Sequence, residues 1–202
     1  MNLDLKDDTT PMCLRPYPVP RVHKAMFRKE VERLVKLGVL EEANESKWGS
    51  PSFDQPKPKT SRVRFLNDFR NLNMQIKHRP YPMPKIRKML LNLEGFQYAT
   101  SLKLNIGYYH IRLSKQASDL CTIIISWGKY KYKRLPMGIC NSPDICQEKM
   151  KEMFRGFEFI RAYIDDLLII TKGDWSDHLN KIERVQQKFK ENRFKFNRRG
   201  PS

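Results

Sequence analysis

The stretch YIDDLLIIT, residues 163–171, sets Asp165 and Asp166 side by side inside an otherwise apolar run. Burying one carboxylate is costly and two adjacent ones repel, so any fold that accepts this run must compensate the pair. With the residues before it, FEFIRAYIDDLLIIT reads as two strands joined by a tight turn at Asp165–Asp166. Well upstream, ATSLKLNIGYYHIRL places Lys103 in the middle of a second apolar run. What the aspartates are for, and what the lysine does to them, governs the rest.

The chain has 202 residues, 40% hydrophobic and 11% aromatic, enough for one large domain or two small lobes with a proper core. No apolar stretch approaches the roughly 20 residues of a spanning helix. The N-terminus, MNLDLKDDTT, is acidic and lacks a signal-peptide pattern. The expectation is an intracellular chain, in cytoplasm or nucleus, neither secreted nor membrane-bound. Cys13, Cys121, Cys140 and Cys146 show no C-x-x-C spacing and the histidines are scattered, which argues against zinc and against a disulfide framework.

Charge narrows the partner. Thirty-nine Lys and Arg against 22 Asp and Glu leave a net +17. The excess recurs in KPKTSRVR, KYKYKRL and KFKENRFKFNRRG, interleaved with aromatics. Such clusters suit a polyanion, with cations meeting phosphates and rings stacking on bases.

Along the chain, residues 1–20 are proline-rich and expected to be extended. HKAMFRKEVERLVKLG predicts a helix with Phe27, Val31, Leu34 and Val35 on one face and Gly38 just past its end. SRVRFLNDF alternates as a strand, with Val63, Phe65 and Phe69 on one side. YPMPKIRKMLLNLEG predicts a helix with Pro84 in its first turn, Ile86, Leu90 and Leu93 on one face, and Gly95 closing it. FQYATSLKL, YYHIRLS, LCTIIIS and KYKYKRL then read as strands, with WGK a hairpin turn. SPDICQEKMKEMFRG returns to helix, with Ser142 as cap, Pro143 at its first position, and Cys146, Met150, Met153 and Phe154 inward. Finally Ser176 is expected to cap a helix that buries Leu179, Ile182, Val185 and Phe189. Helices and strands mix without a βαβ alternation, so the fold class is α+β.

Hard carboxylate oxygens on a rigid strand turn suit Mg²⁺, and two such ions about 4 Å apart activate a hydroxyl and stabilise a leaving pyrophosphate. Here a resemblance becomes specific. YIDDLL resembles the aspartate signature of reverse transcriptases, and LPMGICNSPDICQEKM is similar to that family's L-P-x-G-x-x-x-[SA]-P-x-x-F-Q block. VRFLNDFRNLN resembles the fingers strand leading into D-[FY]-R-x-L-N, and SLKLNIGYYHIRL the first palm motif. In this order and spacing the four blocks resemble the RNA-directed DNA polymerase of gypsy-type long-terminal-repeat retrotransposons.

The resemblance implies a right-hand polymerase fold with fingers and palm, the palm an antiparallel sheet backed by helices, and no thumb in this stretch. Fingers would span about 21–79 and 114–136, and palm about 80–113 and 137–197, within one domain over 1–202. It implies Asp165 and Asp166 as the catalytic, metal-binding aspartates, with the Leu104 backbone as a further ligand and two Mg²⁺ ions as cofactors. Arg64, Asn105, Ile106, Gly107, Tyr108, Met137 and Gly138 would form the nucleotide pocket, with Arg64 clamping the triphosphate and Tyr108 excluding a 2′-hydroxyl. Ser142, Pro143, Gln147 and Tyr163 would meet template or primer. Partners would be a template-primer duplex and deoxynucleoside triphosphates.

One position departs from the pattern. Where the first palm motif carries an aspartate, this chain has Lys103, while Gly107 and Tyr108 fall in register. A unit positive charge about 4 Å from a divalent ion is repelled by roughly 8 kcal/mol at an effective dielectric near 20, an upper-end figure. Several kcal/mol of lost transition-state stabilisation removes several powers of ten in rate. The expectation is a polymerase-shaped domain with severely impaired nucleotidyl transfer, or a binding protein of the same fold. A second departure is Cys146, where the family usually has phenylalanine.

Overall fold

The computed structural model describes residues 1–56, 63–91, 95–104, 107–192 and 194. They fall into two compact units, residues 1–78 with 111–142, and residues 79–110 with 143–202.

The first unit is built on a five-stranded sheet. Helix α1 (Arg21–Lys36) precedes strands β1 (Leu40–Glu42), β2 (Ser50–Pro56) and β3 (Val63–Asn67), then the short helix α2 (Arg70–Gln75). After the second unit's first stretch come α4 (Lys115–Leu120), β5 (Thr122–Ile125) and β6 (Gly128–Tyr132). The strand order is β1-β6-β5-β2-β3, antiparallel except for β2 beside β5. Phe27, Val31 and Leu34 of α1 are buried, with Phe27 packed on Phe65 at 5.1 Å and on Trp127 at 5.6 Å. Val35, expected on the same face, is 37% exposed. The helix ends in a Schellman arrangement: Val39 N–H donates to Leu34 O and Gly38 N–H to Val35 O. Gly38 takes φ +65°, a conformation that glycine adopts without a Cβ penalty. The β5–β6 hairpin turns at Ser126–Trp127, as the WGK signal implies.

Strand β2 has no clear signature in the sequence, because SPSFDQP carries two prolines and little hydrophobicity. Tertiary pairing overrides that propensity: its backbone bonds β3 along one edge and β5 along the other, and Ser52 Oγ donates to Asn67 Oδ1 at 2.8 Å. YYHIRLS is likewise not a strand. Gly107–His110 form a 3-10 turn, and only Arg112 makes an isolated bridge.

The second unit is a three-stranded antiparallel sheet, β4-β8-β7, with β4 spanning Tyr98–Lys103, β7 Ile160–Tyr163 and β8 Asp166–Thr171. Two helices, α5 (Ser142–Met153) and α6 (Trp175–Glu191), pack on one face of it. Ser142 itself belongs to the first unit. Cys146, Met150, Met153 and Phe154 meet Leu167 and Ile169 from the strands and Val185 and Phe189 from α6 in one buried cluster. Strict alternation on β8 buries Leu167, Ile169 and Thr171 and turns Asp166 outward.

Helix α3 covers only Ile86–Leu91, so Pro84 precedes it, and Ile86 is half exposed. The Leu90 side chain and Leu93 lie outside the described residues. Ser142 does not cap α5; its Oγ donates to Pro136 O at 2.8 Å. Asp174, not Ser176, caps α6, accepting from Asp177 N at 2.8 Å. Leu179 is exposed, and His178 takes the inward position. His178 Nε2 meets Thr100 Oγ1 at 2.8 Å and its Nδ1 meets Thr171 Oγ1 at 3.0 Å, joining α6 to two strands. Among the described residues no helix is long and apolar enough to cross a membrane.

Candidate active site

The β7–β8 hairpin turns one residue earlier than the sequence reading has it. Tyr163 pairs with Asp166, so the two-residue loop is Ile164–Asp165 and Asp166 opens β8. Ile164 takes φ +53°, rare for a β-branched residue. The buried Gln147 carboxamide of α5 holds it there: Oε1 accepts from Ile164 N at 2.8 Å and Nε2 donates to Ala162 O at 3.0 Å.

Beside this turn the sheet register lines up a row. Lys103 on β4 sits opposite Asp166 on β8, which sits opposite Tyr163 on β7. Alternation puts all three side chains on the face away from the helices. Leu104 N–H donates to Asp165 O at 2.8 Å and ties the turn to the end of β4. The Lys103 Nζ lies 3.2 Å from Asp166 Oδ1 and 3.5 Å from Asp165 Oδ2. Its pKa is raised, first by the hydrogen bond to Asp166 and then by the charge of Asp165, so it is an ammonium throughout the neutral range.

Tyr108 is half-buried against the same cluster as Cys146. Burial, reinforced by Cys146 and Asp165 nearby, pushes its phenol up to about 12. Burial likewise pushes the Cys146 thiol up to about 12, and its Sγ lies 3.6 Å from Ile164 O. Asn105 and Ile106 lie outside the described residues, and Gly107 opens the 3-10 turn.

The second unit therefore brings together Lys103, Leu104, Tyr108, Gln147, Tyr163, Asp165 and Asp166, with Pro143 in the first turn of α5. Gln147 spends its amide on the hairpin backbone. Arg64, Met137, Gly138 and Ser142 belong to the first unit. Arg64 is exposed on β3 opposite Gln55, and Met137 is exposed in a turn. Gly138 has φ +95°, and a Cβ there would meet the Phe69 ring at 3.5 Å. Asn73 braces that turn, its Nδ2 donating to Gly138 O at 2.8 Å and its Oδ1 accepting from Cys140 N at 2.9 Å.

A further group in the first unit escaped the sequence reading. Asp68 accepts from Tyr17 Oη at 2.8 Å and from both Nε and Nη2 of Arg70, at 2.8 and 2.6 Å. Those bonds, Arg70's foremost, hold its carboxyl well below the usual range. The signal was present in NDFR, which places a carboxylate two residues before a guanidinium.

The donor set at the hairpin does not fit a pair of divalent cations. It offers two carboxylates with an ammonium against both, and among the described residues no three His, Cys, Asp or Glu side chains are grouped to hold a metal ion. Lys103 is 68% exposed, so water screens it. In bulk water its repulsion of a divalent ion at 4 Å falls to about 2 kcal/mol, still opposed to binding.

The profile of the reverse transcriptase (RNA-dependent DNA polymerase) family matches residues 55–199, and the chain belongs to that family. The Pol polyprotein of the transposon gypsy from Drosophila melanogaster is 30% identical over 185 residues, 88% of this chain and 18% of that protein. A putative enzymatic polyprotein of Cassava vein mosaic virus is 29% identical over 177 residues, 84% of this chain and 27% of that protein. The chain thus spans about a fifth to a quarter of the length of these relatives. Among solved structures, the foamy viral protease-reverse transcriptase in complex with double-stranded DNA superposes with a TM-score of 0.86 at 23% identity, over 94% of this chain and 33% of that one. This likeness establishes the mixed α and β fold with its antiparallel palm-type sheet.

Proposed function

We propose that the chain is the fingers and palm of a retroelement RNA-directed DNA polymerase in which duplex binding outlasts nucleotidyl transfer. The first unit corresponds to the fingers and the second to the palm. The single observation that carries the impairment is the Lys103 ammonium at 3.2 and 3.5 Å from the two aspartates. It stands where a third carboxylate would be needed, and it neutralises one of the two charges that remain.

In this reading Arg64 meets the triphosphate, and Tyr108 packs beneath the sugar. Gly107 of the second unit and Met137 and Gly138 of the first, together with Asn105 and Ile106, keep the nucleotide-binding roles that the family resemblance implies. Tyr163, Ser142 and Pro143 keep the template- and primer-binding roles that the resemblance implies, whereas Gln147 acts through the hairpin it braces. For the two Mg²⁺ that the family resemblance implies, this corner offers only Asp165 and Asp166, both already paired with Lys103. The net +17 supports retention of a nucleic-acid duplex, bound inside the cell without turnover.

Primer extension on an RNA template with Mg²⁺ tests the impairment by comparing the unmodified chain with Lys103→Asp. Robust extension by the unmodified chain overturns it. Duplex affinity tests the binding half: it falls steeply with added salt if phosphates are neutralised, and a flat salt response removes nucleic acid as the partner.

A further inference from the structure

In the first unit, Arg112 and Arg134 face each other across an isolated antiparallel bridge. The flanking bonds are Leu113 N–H to Lys133 O at 3.1 Å and Leu135 N–H to Ile111 O at 2.9 Å. That pattern makes 112 and 134 a non-hydrogen-bonded pair, the type in which opposed side chains come closest, with Cα atoms about 4.5 Å apart. Like charges directly opposite are destabilising. Among the described residues neither guanidinium has a carboxylate partner. Arg134 is partly buried, and burial together with Arg112 pushes its pKa down.

The two arginines line a cavity of about 610 Å³ with Lys115, Lys131 and Lys133. One carboxylate, Glu41, shares the lining, bonded to Lys133 at 2.9 Å and Lys131 at 3.5 Å. Lys131 also pairs with Asp119 at 3.0 Å. Five cations thus converge on one concavity, and even with Asp119 counted only two carboxylates answer them. Among the described residues no aromatic ring lines it, so base stacking is not on offer there. Guanidinium forks side by side match the oxygens of adjacent phosphoryl groups.

We propose that this cavity binds a compact anion bearing two or more phosphoryl groups, supplied either as a free polyphosphate or as the backbone of a nucleic-acid strand. The site lies wholly within the first unit and does not depend on the aspartate hairpin or on the polymerase reading.

The test is titration of the whole chain with inorganic tripolyphosphate at fixed ionic strength. Saturable binding is expected, weakened by roughly tenfold or more in Arg112→Gln/Arg134→Gln, as loss of charge-assisted hydrogen bonds demands. The control Arg21→Gln/Lys24→Gln removes the same charge from α1 and should leave affinity within about twofold. Equal losses in both double variants, or equally tight binding of citrate, overturn the proposal. Thermal unfolding guards against a misfolded variant: removing the opposed pair should leave the midpoint at or above the unmodified chain's. Tripolyphosphate should raise the midpoint only when both arginines are present. A single-stranded oligonucleotide that displaces tripolyphosphate through the same two arginines identifies a strand backbone as the source; failure to displace it identifies a free polyphosphate.

Discussion

Ile164 N–H donates to Gln147 Oε1 at 2.8 Å, and this bond holds a β-branched residue at φ +53°. The aspartate hairpin is therefore shaped from beneath by a helix. Replacing Gln147 with Leu leaves the half-buried Ile164 N–H without its acceptor and frees the turn. Urea unfolding should show a loss of about 1–3 kcal/mol at unchanged m-value. A loss within error of zero would mean the turn holds its own shape.

Lys103→Asp assembles three carboxylates at one corner. Without divalent cations the variant should be less stable by about 0.5–1 kcal/mol through like-charge repulsion. Millimolar Mg²⁺ should raise its melting temperature and leave the unmodified chain unchanged. The lysine's raised pKa means its stabilising contribution is complete at neutral pH and fades only as pH climbs past the ordinary lysine range. An equal Mg²⁺ response in both chains would contradict this picture of the corner.

Asp68 gives the opposite pH dependence. Its carboxyl pKa is depressed by Arg70 and Tyr17, so its contribution is present above 3.8 and is lost as the solution is acidified below that value. Asp68→Asn should cost about 1–2 kcal/mol at pH 7. The gap between the two chains should close progressively in acid, as followed by chemical denaturation from pH 7 downward. A gap independent of pH would show that the charge is not the cause.

Thiol reactivity separates the cysteines. Cys13 is exposed, whereas Cys121 and Cys146 are buried and burial pushes both thiols upward, Cys146 to about 12. A thiol-disulfide reagent at pH 8 should modify Cys13 promptly and reach Cys121 and Cys146 only after denaturant is added. Prompt labelling of Cys146 in the native chain would show that the cluster beneath the hairpin opens readily.

The parts of the fold legible in the sequence were those with one dominant period. Cys146, Met150, Met153 and Phe154 recur at helical spacing and are buried together. Leu167 and Ile169 alternate with outward residues as a strand should. The misreadings arose where two signals competed. Asp174 and Ser176 are both good caps, and the carboxylate three residues before Asp177 N won. On α6 the inward stripe runs His178, Ile182, Val185, Phe189; hydropathy pointed to Leu179 because a histidine looks polar until its two nitrogens find threonines. Strand β2 could not be read from its prolines, since its stability comes from neighbours distant in the sequence.

At the hairpin, the aspartates and the lysine were readable, because charge inside an apolar run is conspicuous; the turn was readable only to within one residue, since it falls at Ile164–Asp165. The role of Gln147 was not, because a glutamine on a helix gives no sign of which backbone it will meet.

Lys103 and Asp166 form the last rung of the β4–β8 ladder, on the face the helices do not cover. Nothing the core requires of that rung depends on the sign of its outward charge. An acid or a base at that rung shifts stability by only about 0.5–1 kcal/mol, so the fold is nearly indifferent to a sign that the chemistry proposed for the corner would feel keenly.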